Sequence, residues 1–143
     1  MEDWVVWMIA AGLLAVGEIA TVGFFLGLVA IAELLAGRDD VVSVRYPGLP
    51  ADPGHEVARR QMSRFGTIVS FDLGSRARAE GFLDAAELVT DATSFGGVFT
   101  TAERRARWAS DDVPEGFIRL SAGCEDTADL VADIESALAV SGS

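Results

Sequence analysis

Arg119 is the residue whose type and position most suggest chemistry. It lies in the run EGFIRLSAGCED, residues 115–126, inside an apolar segment that is typical of a strand. Because strand residues alternate between faces, Arg119 points away from the face that carries Ile118 and Leu120. A guanidinium can grip a carboxylate through two parallel hydrogen bonds, which a lysine cannot do. The residue pattern alone favours a solvated arginine on one face of a sheet, with a carboxylate site as the alternative.

Other catalytic side chains are scarce. His55 is the single histidine and cannot build a metal site alone, and Cys124 is the single cysteine, typical of a small buried apolar residue. All eleven basic residues of the 143-residue chain are arginine, which excludes a lysine Schiff base within this polypeptide. From residue types alone we predict no catalytic, metal-binding or cofactor-binding residue.

The charged residues predict solvated surface. A net charge of −11 argues against a nucleic-acid partner, which would need a clustered cationic face. The acidic pairs at residues 39–40 and 111–112 lie in predicted loops, where adjacent carboxylates do not form a coordination shell. The run ERRAR, residues 103–107, indicates a solvated turn more than an anion site.

An apolar helical segment is predicted at residues 4–37, where Glu18 and Glu33 are the two charged residues. The segment is long enough to enter a hydrocarbon core about 30 Å thick, as a kinked span or a helical hairpin. The chain begins with acidic residues, so the segment does not match a cleavable signal peptide. If the segment spans the membrane once, Arg38 would place the rest of the chain in the cytoplasm. The alternative is a buried helical pair in a soluble, cytoplasmic protein.

Short strands and helices are predicted after residue 40. Strands are indicated by VVSVRY, TIVSFDL, ELVTD and GFIRLS. One helix is expected to run from Asp52 to about Arg64, a second to begin at the N-cap Ser75, and a third to occupy residues 125–139. The first of them should turn Val57, Ala58 and Met62 inward, and residues 100–116 should form a loop with at most one helical turn, at residues 103–107. The order of these elements predicts an α+β sandwich.

Three stretches carry a family resemblance. VRYPGLPADPGHEVARRQMSRFGTIVSFDL, ELVTDATSFGGVFTTAERRARW and GFIRLSAGCEDTADLVADIESAL occur in the family's order and together resemble the C-terminal domain of Cys/Met-metabolism enzymes that use pyridoxal phosphate (PLP), such as cystathionine γ-lyase and γ-synthase. The similarity covers residues 40–141. It implies the small α+β domain of the aspartate-aminotransferase type, a mostly antiparallel sheet with helices on one side, here preceded by the apolar helical segment.

The resemblance also implies a substrate site. Arg119 corresponds to the arginine that grips the α-carboxylate of a cystathionine-like amino acid, and Ser94 to the serine beside cofactor and substrate. Phe95 stands at the adjacent position, where many relatives have leucine, and Phe99 departs from a commonly polar position. No stretch of this sequence resembles the family's cofactor domain, with its Schiff-base lysine. We therefore expect this chain alone neither to bind PLP nor to catalyse the family's reaction.

The opening segment resembles a different protein. WVVW followed by LLAVGEIATVGFFLG is similar to the first membrane segment of NfeD-like proteins. Two domains are thus predicted, a membrane segment at residues 1–37 and an enzyme-derived domain at residues 38–143. Three hypotheses follow: a partial enzyme that keeps the substrate-carboxylate subsite, a membrane-anchored interaction protein without activity, or one half of an enzyme completed by a partner chain. A former domain interface left exposed would favour self-association.

Overall fold

A five-stranded sheet organises the chain. The computed structural model describes residues 27–142 together with positions 5, 6, 8, 9, 12 and 13, which are helical. The strands are β1 (Ser43–Arg45), β2 (Ile68–Asp72), β3 (Thr90–Asp91), β4 (Thr101–Arg104) and β5 (Phe117–Ser121). They lie in the order β1-β2-β5-β4-β3, and every pairing is antiparallel except the parallel one between β3 and β4. The mostly antiparallel sheet expected from the sequence is confirmed.

Four helices lie within residues 27–142. They are α1, described over residues 27–36, α2 (His55–Gln61), α3 (Arg76–Ala85) and α4 (Thr127–Ser141). The predicted N-cap Ser75 is confirmed, since its hydroxyl accepts a hydrogen bond from the backbone N–H of Arg78 at 3.3 Å. Asp126 caps α4 in the same way. A short 3-10 turn, Arg105–Arg107, follows β4.

One face of the sheet packs on the helices to form the core. Phe71 of β2 and Ile118 of β5 are fully buried, and so are Phe82 of α3 and Ile134 of α4. The rings of Phe71 and Phe82 meet edge to face at 5.5 Å between centroids. The alternation predicted for β5 is therefore confirmed, with the Ile118 side inward and Arg119 on the opposite face.

Helix α1 belongs to this core, which corrects part of the membrane prediction. Leu28, Ile31, Ala32 and Leu35 are at most 1% exposed and join the same hydrophobic cluster. They fall within the segment 4–37, and burial against the sheet domain explains their apolar character. No helix in the described part of the chain is long and apolar enough to cross a membrane. Most of the remaining segment, including Glu18 and the NfeD-like motif, lies outside the described residues.

Helix α2 differs from its prediction. It ends at Gln61 because Met62 is extended, with φ −116° and ψ 135°. Ala58 is buried as expected, but Val57 and Met62 are 47% and 42% exposed, so the expected inward placement is wrong for both. Asp52 lies two residues before the observed N-cap, Gly54, and accepts its backbone N–H at 2.7 Å.

Strand β4 was not predicted, because its sequence is polar. The segment 100–116 was expected to be a loop, yet residues 101–104 of it pair along β5. Glu103 and Arg104 are buried, at 0% and 5% exposure, which corrects the expectation of a solvated turn at residues 103–107. Ion pairs balance their charges. The strand therefore forms although its residues do not alternate between apolar and polar.

Asp40 ties the link after α1 to helix α3. Arg38 donates to both of its carboxylate oxygens, at 2.8 and 2.9 Å, and Arg78 of α3 bonds its carboxylate and its backbone carbonyl. The hydrogen bond from Arg38 lowers the pKa of Asp40 to about 2, and the charge of Arg78 adds to this effect against the opposing desolvation.

We predict that Asp40→Asn destabilises the fold at neutral pH by about 0.5–1 kcal/mol, a small value because the pair is partly exposed to solvent. The pKa is lower in the folded state, so the stabilisation is complete above the usual aspartate pKa of about 3.9. It is lost as pH falls toward 2. Urea unfolding at pH 7 and pH 2.5 measures this, with exposed Asp39→Asn as control. An equal loss at both pH values would contradict the ion-pair origin.

Candidate functional site

A row of polar side chains crosses the sheet on the face opposite the core. The strand register places Arg45 of β1 beside Ser70 of β2, Ser70 beside Arg119 of β5, and Arg119 beside Glu103 of β4. We call these four residues the polar row. Residues that are paired across neighbouring strands project to the same side of a sheet, so all four side chains lie on one face. This face of the sheet is therefore charged, whereas the opposite face packs on the hydrophobic core.

Arg119 is held through one nitrogen of its guanidinium. Its Nη2 donates to Glu103 Oε1 and to the backbone carbonyl of Thr93, both at 2.6 Å. The ring of Phe95 lies 4.8 Å from the guanidinium carbon, a cation–π contact. The side chain is 19% exposed, and its Nε and Nη1 have no hydrogen-bond partner among the described residues. Two nitrogens, which carry three N–H groups, thus remain available on a guanidinium whose position is fixed.

Glu103 is the fully buried carboxylate that fixes Arg119. Its Oε1 also accepts from Arg105 Nη1, and its Oε2 accepts from the indole N–H of Trp108 at 2.9 Å. Desolvation alone would raise the pKa of Glu103. The hydrogen bonds from Trp108 and Arg105, with the charges of Arg105 and Arg119, outweigh it and lower the pKa below its usual range. Glu103 therefore stays ionised although it is shielded from water.

The loop from residue 93 to residue 99 lies beside the guanidinium of Arg119. Ser94 is exposed, and its backbone carbonyl accepts from the Thr101 hydroxyl at 2.8 Å. The N–H of Gly96 donates to the Ser121 hydroxyl at 2.9 Å, and Gly96 has a φ of +74°, which favours glycine. These bonds tie the loop to β4 and β5. Three large apolar side chains remain 61–72% exposed on it, namely Phe95, Val98 and Phe99.

The end of this loop is held by Glu125. Its two carboxylate oxygens accept from the N–H and the hydroxyl of Thr100, at 2.7 and 2.6 Å. Burial opposes ionisation, but these bonds prevail and lower the pKa of Glu125. The Thr100 hydroxyl in turn accepts from the N–H of Gly123 at 2.9 Å. The chain after β5 therefore packs directly on the loop.

The three predicted site residues lie close together. Ser94 sits between Thr93, whose carbonyl accepts from Arg119, and Phe95, whose ring faces the same guanidinium. Sequence reasoning missed Glu103 as part of the site. The signal for it was weak, because it required the register of β4 against β5, and β4 itself was not recognised.

The remaining candidate residues do not form a further site in the described part of the chain. No group of histidine, cysteine and acidic residues in the described part of the chain could hold a metal ion. Asp111, from one of the acidic pairs, binds Arg105, and Nδ1 of His55 lies 2.7 Å from the carbonyl of Pro47. Cys124 is exposed, so the expectation of a buried apolar cysteine is wrong.

Comparison with known proteins finds matches over most of this chain. The sequence model described as Cys/Met metabolism PLP-dependent enzyme matches residues 28–139, which includes α1. A provisionally named cystathionine gamma-lyase of Streptomyces coelicolor is 63% identical over 108 residues, covering 76% of this chain and 28% of that protein. The cystathionine gamma-synthase of Mycobacterium tuberculosis is 45% identical over 117 residues, covering 76% and 30%.

Solved structures share the fold. The crystal structure of metB from Corynebacterium glutamicum superposes with a TM-score of 0.76 at 40% identity, covering 81% of this chain and 32% of that one. The methionine gamma lyase CalE6 of Micromonospora echinospora gives 0.73 at 42% identity, with the same coverage. The chain thus spans about 30% of the length of the relatives it matches.

We predict that Gly123→Ala destabilises the protein by about 1–3 kcal/mol through overpacking. A Cβ at Gly123 would lie 2.5 Å from both the carbonyl oxygen of Val98 and the carbonyl carbon of Phe99, and these backbone atoms cannot swing aside. Thermal unfolding measures the effect. Gly97→Ala is the matched control, because a Cβ there meets nothing within 4 Å. Equal midpoints for the two variants would show that the loop does not pack as described.

Proposed function

This chain belongs to the family of Cys/Met metabolism PLP-dependent enzymes, and from that membership we propose that it forms the substrate-carboxylate subsite of a cystathionine γ-lyase- or γ-synthase-like enzyme. The observation that carries the proposal is the guanidinium of Arg119, which is fixed at one nitrogen and, within the described residues, unbonded at the other two. Its Nε and Nη1 lack partners among the described residues, while Nη2 is held at 2.6 Å by Glu103 and by Thr93.

A carboxylate can accept a charge-assisted hydrogen bond from either free nitrogen. The Nε–H of a guanidinium is parallel to an N–H of Nη2 and not of Nη1, so the carboxylate would form a two-bond fork by displacing the Thr93 carbonyl from Nη2. A lysine at this position would offer no such fork. In the proposal, the α-carboxylate of the amino acid lies in the plane of the Arg119 guanidinium, within reach of the exposed loop residue Ser94 and beside the ring of Phe95.

The substrate class comes from the relatives. Among the proteins that this chain resembles are a cystathionine gamma-lyase of Bacillus subtilis and the mycobacterial cystathionine gamma-synthase. A fork for an α-carboxylate is compatible with any amino acid, so it does not itself select cystathionine. We propose a cystathionine-like amino acid on the strength of these similarities.

The residues of this chain do not fit PLP as a covalently held group. The sequence has no lysine, so no side chain offers the amine that a Schiff base requires. We infer that this chain binds one end of the substrate, and that the chemical step requires protein outside this chain. On its own the chain is proposed to be inactive.

The apolar loop residues suggest where further protein would dock. Phe95, Val98 and Phe99 expose 61–72% of their surface next to Arg119. In the proposal this surface meets the lysine-bearing protein that would hold the cofactor, because this sequence contains no lysine. Burial of such side chains is a common source of association free energy.

We predict that the purified chain binds L-cystathionine weakly and that Arg119→Gln weakens this binding about 10–100-fold, because a hydrogen bond between charged groups contributes about 1.5–3 kcal/mol. Isothermal titration calorimetry measures the two affinities. The matched control is Arg60→Gln on exposed α2, which removes the same charge away from the site. Equal affinity for wild type and Arg119→Gln would reject the proposed subsite.

We also predict that PLP forms no stable adduct with any side chain of this protein. After incubation with PLP and reduction with borohydride, peptide mass spectrometry should find the phosphopyridoxyl mass on no internal peptide, since the α-amino group is the sole alkyl amine of a lysine-free chain. A lysine-containing Cys/Met-metabolism enzyme treated in parallel provides the positive control. A modified internal peptide would contradict the inference that the reacting amine lies elsewhere.

A further inference from the structure

We propose that the cavity beside β1 is a binding site for a carboxylic acid with an apolar body, separate from the site around Arg119. The cavity has a volume of about 630 Å³ and is lined by residues of β1, of β2 and of the segment between α2 and β2. Its polar wall includes Arg45 of β1. The inference does not depend on the proposed function, because neither Arg119 nor a residue that bonds it lines this cavity.

Arg45 presents two donors on the same edge of its guanidinium. Its Nε donates to Asp52 Oδ2 at 3.2 Å, and its Nη1 and Nη2 have no hydrogen-bond partner among the described residues. Nη1 and Nη2 each carry an N–H that points away from the rest of the side chain, and these two N–H groups are parallel. Their spacing matches the two oxygens of one carboxylate. The bond through Nε therefore leaves a complete two-bond fork free.

Asp52 holds this guanidinium and is itself held by the backbone. Its side chain is 4% exposed, its Oδ1 accepts from the N–H of Gly54 at 2.7 Å, and its Oδ2 accepts from the N–H of Tyr46 at 3.0 Å. Desolvation opposes ionisation, but these bonds and the charge of Arg45 prevail and lower the pKa of Asp52. Asp52 therefore stays charged at neutral pH and anchors the Nε of an arginine whose side chain is 57% exposed.

The other walls of the cavity are apolar. Met62, Phe65 and Ile68 line it, and Met62 leaves 42% of its surface exposed. A flexible thioether side chain adapts to ligands of different shape. Ligand sites commonly combine apolar walls with a few polar groups of fixed position. The ligand that fits this combination has an apolar body next to its carboxylate.

Contacts behind the walls fix the shape of the cavity. The ring of His55 lies 5.5 Å from that of Phe65 between centroids, and its Nδ1 lies 2.7 Å from the carbonyl oxygen of Pro47. The Tyr46 hydroxyl donates to the carbonyl of Gly66 at 3.4 Å. Gly66 has a φ of +83°, a conformation that favours glycine. Two of the walls are thus joined through one ring, and the backbone between them is held at Gly66.

The charges of the cavity favour an acid over an amine. Among the described residues that line it, Arg45 and Asp52 carry charge. The oxygens of Asp52 already accept three hydrogen bonds, whereas the Nη donors of Arg45 are unused within the described chain. The net charge of −11 provides no long-range attraction for an anion. Recognition depends on short-range bonds, so we expect a small acid to bind with a Kd of about 1 mM.

The test titrates 3-phenylpropionate into the nitrogen-15-labelled 143-residue chain and follows the amide signals by NMR. The signals of residues 66–68 should shift, and those of residues 93–99 should not. The neutral 3-phenylpropionamide has the same apolar body without the carboxylate, so it should bind about tenfold more weakly. Equal binding of acid and amide would show that no carboxylate is recognised and would reject the site.

Arg45→Gln should weaken 3-phenylpropionate binding about tenfold, because it removes the charged fork. The matched control is Arg60→Gln on exposed α2, which removes the same charge and should leave the affinity unchanged. Equal affinity for wild type and Arg45→Gln overturns the proposal. If Arg45→Gln does not fold, Arg45→Lys replaces it, because lysine keeps the charge beside Asp52 and lacks the planar fork. A loss of about threefold then supports the proposal, and no loss rejects it.

Arg119→Gln separates this site from the proposed substrate subsite. It should leave 3-phenylpropionate affinity and the shifts of residues 66–68 unchanged. If the acid instead shifts residues 93–99 and Arg119→Gln abolishes its binding, the acid occupies the site at Arg119 and the proposal for Arg45 fails. If L-cystathionine does not bind while 3-phenylpropionate still binds through Arg45, the proposed function is rejected and the site beside β1 stands.

A free acid and the C-terminus of a peptide offer the same chemistry to this cavity. N-acetyl-glycyl-phenylalanine, which places a carboxylate beside an aromatic side chain, distinguishes the two sources. Binding at least about tenfold tighter than that of 3-phenylpropionate identifies a peptide C-terminus, and equal or weaker binding identifies a free acid. Both results support the carboxylate site only if Arg45→Gln reduces the binding, and either without that reduction rejects it.

Discussion

The buried carboxylate of Glu103 is the constraint on which the polar side of this domain depends. A fully buried negative charge is tolerated only if donors surround it. Three different segments supply them: Arg119 from β5, Arg105 from the 3-10 turn and Trp108 from just after that turn. The chain must therefore turn sharply after β4 and bring Trp108 back over the sheet. The position of the loop beside Arg119 follows, because that loop is tied to the same guanidinium through Thr93.

Much of the remaining architecture follows from local patterns that the sequence displays. Strands β2 and β5 alternate apolar and polar residues, helix α4 repeats its apolar residues at helical spacing, and Ser75 caps α3 through its own side chain. These features depend on neighbours along the chain, so they could be predicted. Strand β4 could not, because Glu103 and Arg104 are buried through ion pairs with residues distant in sequence. Its apolar signal is absent where a strand normally shows one.

The apolar character of α1 shows a different limit of sequence reasoning. Leu28, Ile31 and Leu35 repeat at a helical spacing that suits a lipid-facing helix and a core helix equally. The stripe itself does not indicate whether lipid or protein core surrounds it. Here the sheet domain supplies the cover, and α1 crosses the start of α4 so closely that a Cβ on Gly27 would meet Thr127 at 2.4 Å. This tertiary contact shows that α1 packs in the protein core, which composition alone does not indicate.

Arg119 shows why residue type alone could not decide the site. A solvated arginine and a carboxylate fork both sit on the polar face of a sheet, and both alternate with buried apolar neighbours. The difference is whether some of the donors are committed and the others left free. That depends on Glu103, sixteen residues away along the chain and opposite in the sheet. All the groups that fix Arg119 belong to this chain, which spans about 30% of the length of its relatives. On the proposed function, this domain therefore holds the carboxylate-binding guanidinium with its own residues. The groups that react would be separable from it, because none of them is needed to hold Arg119.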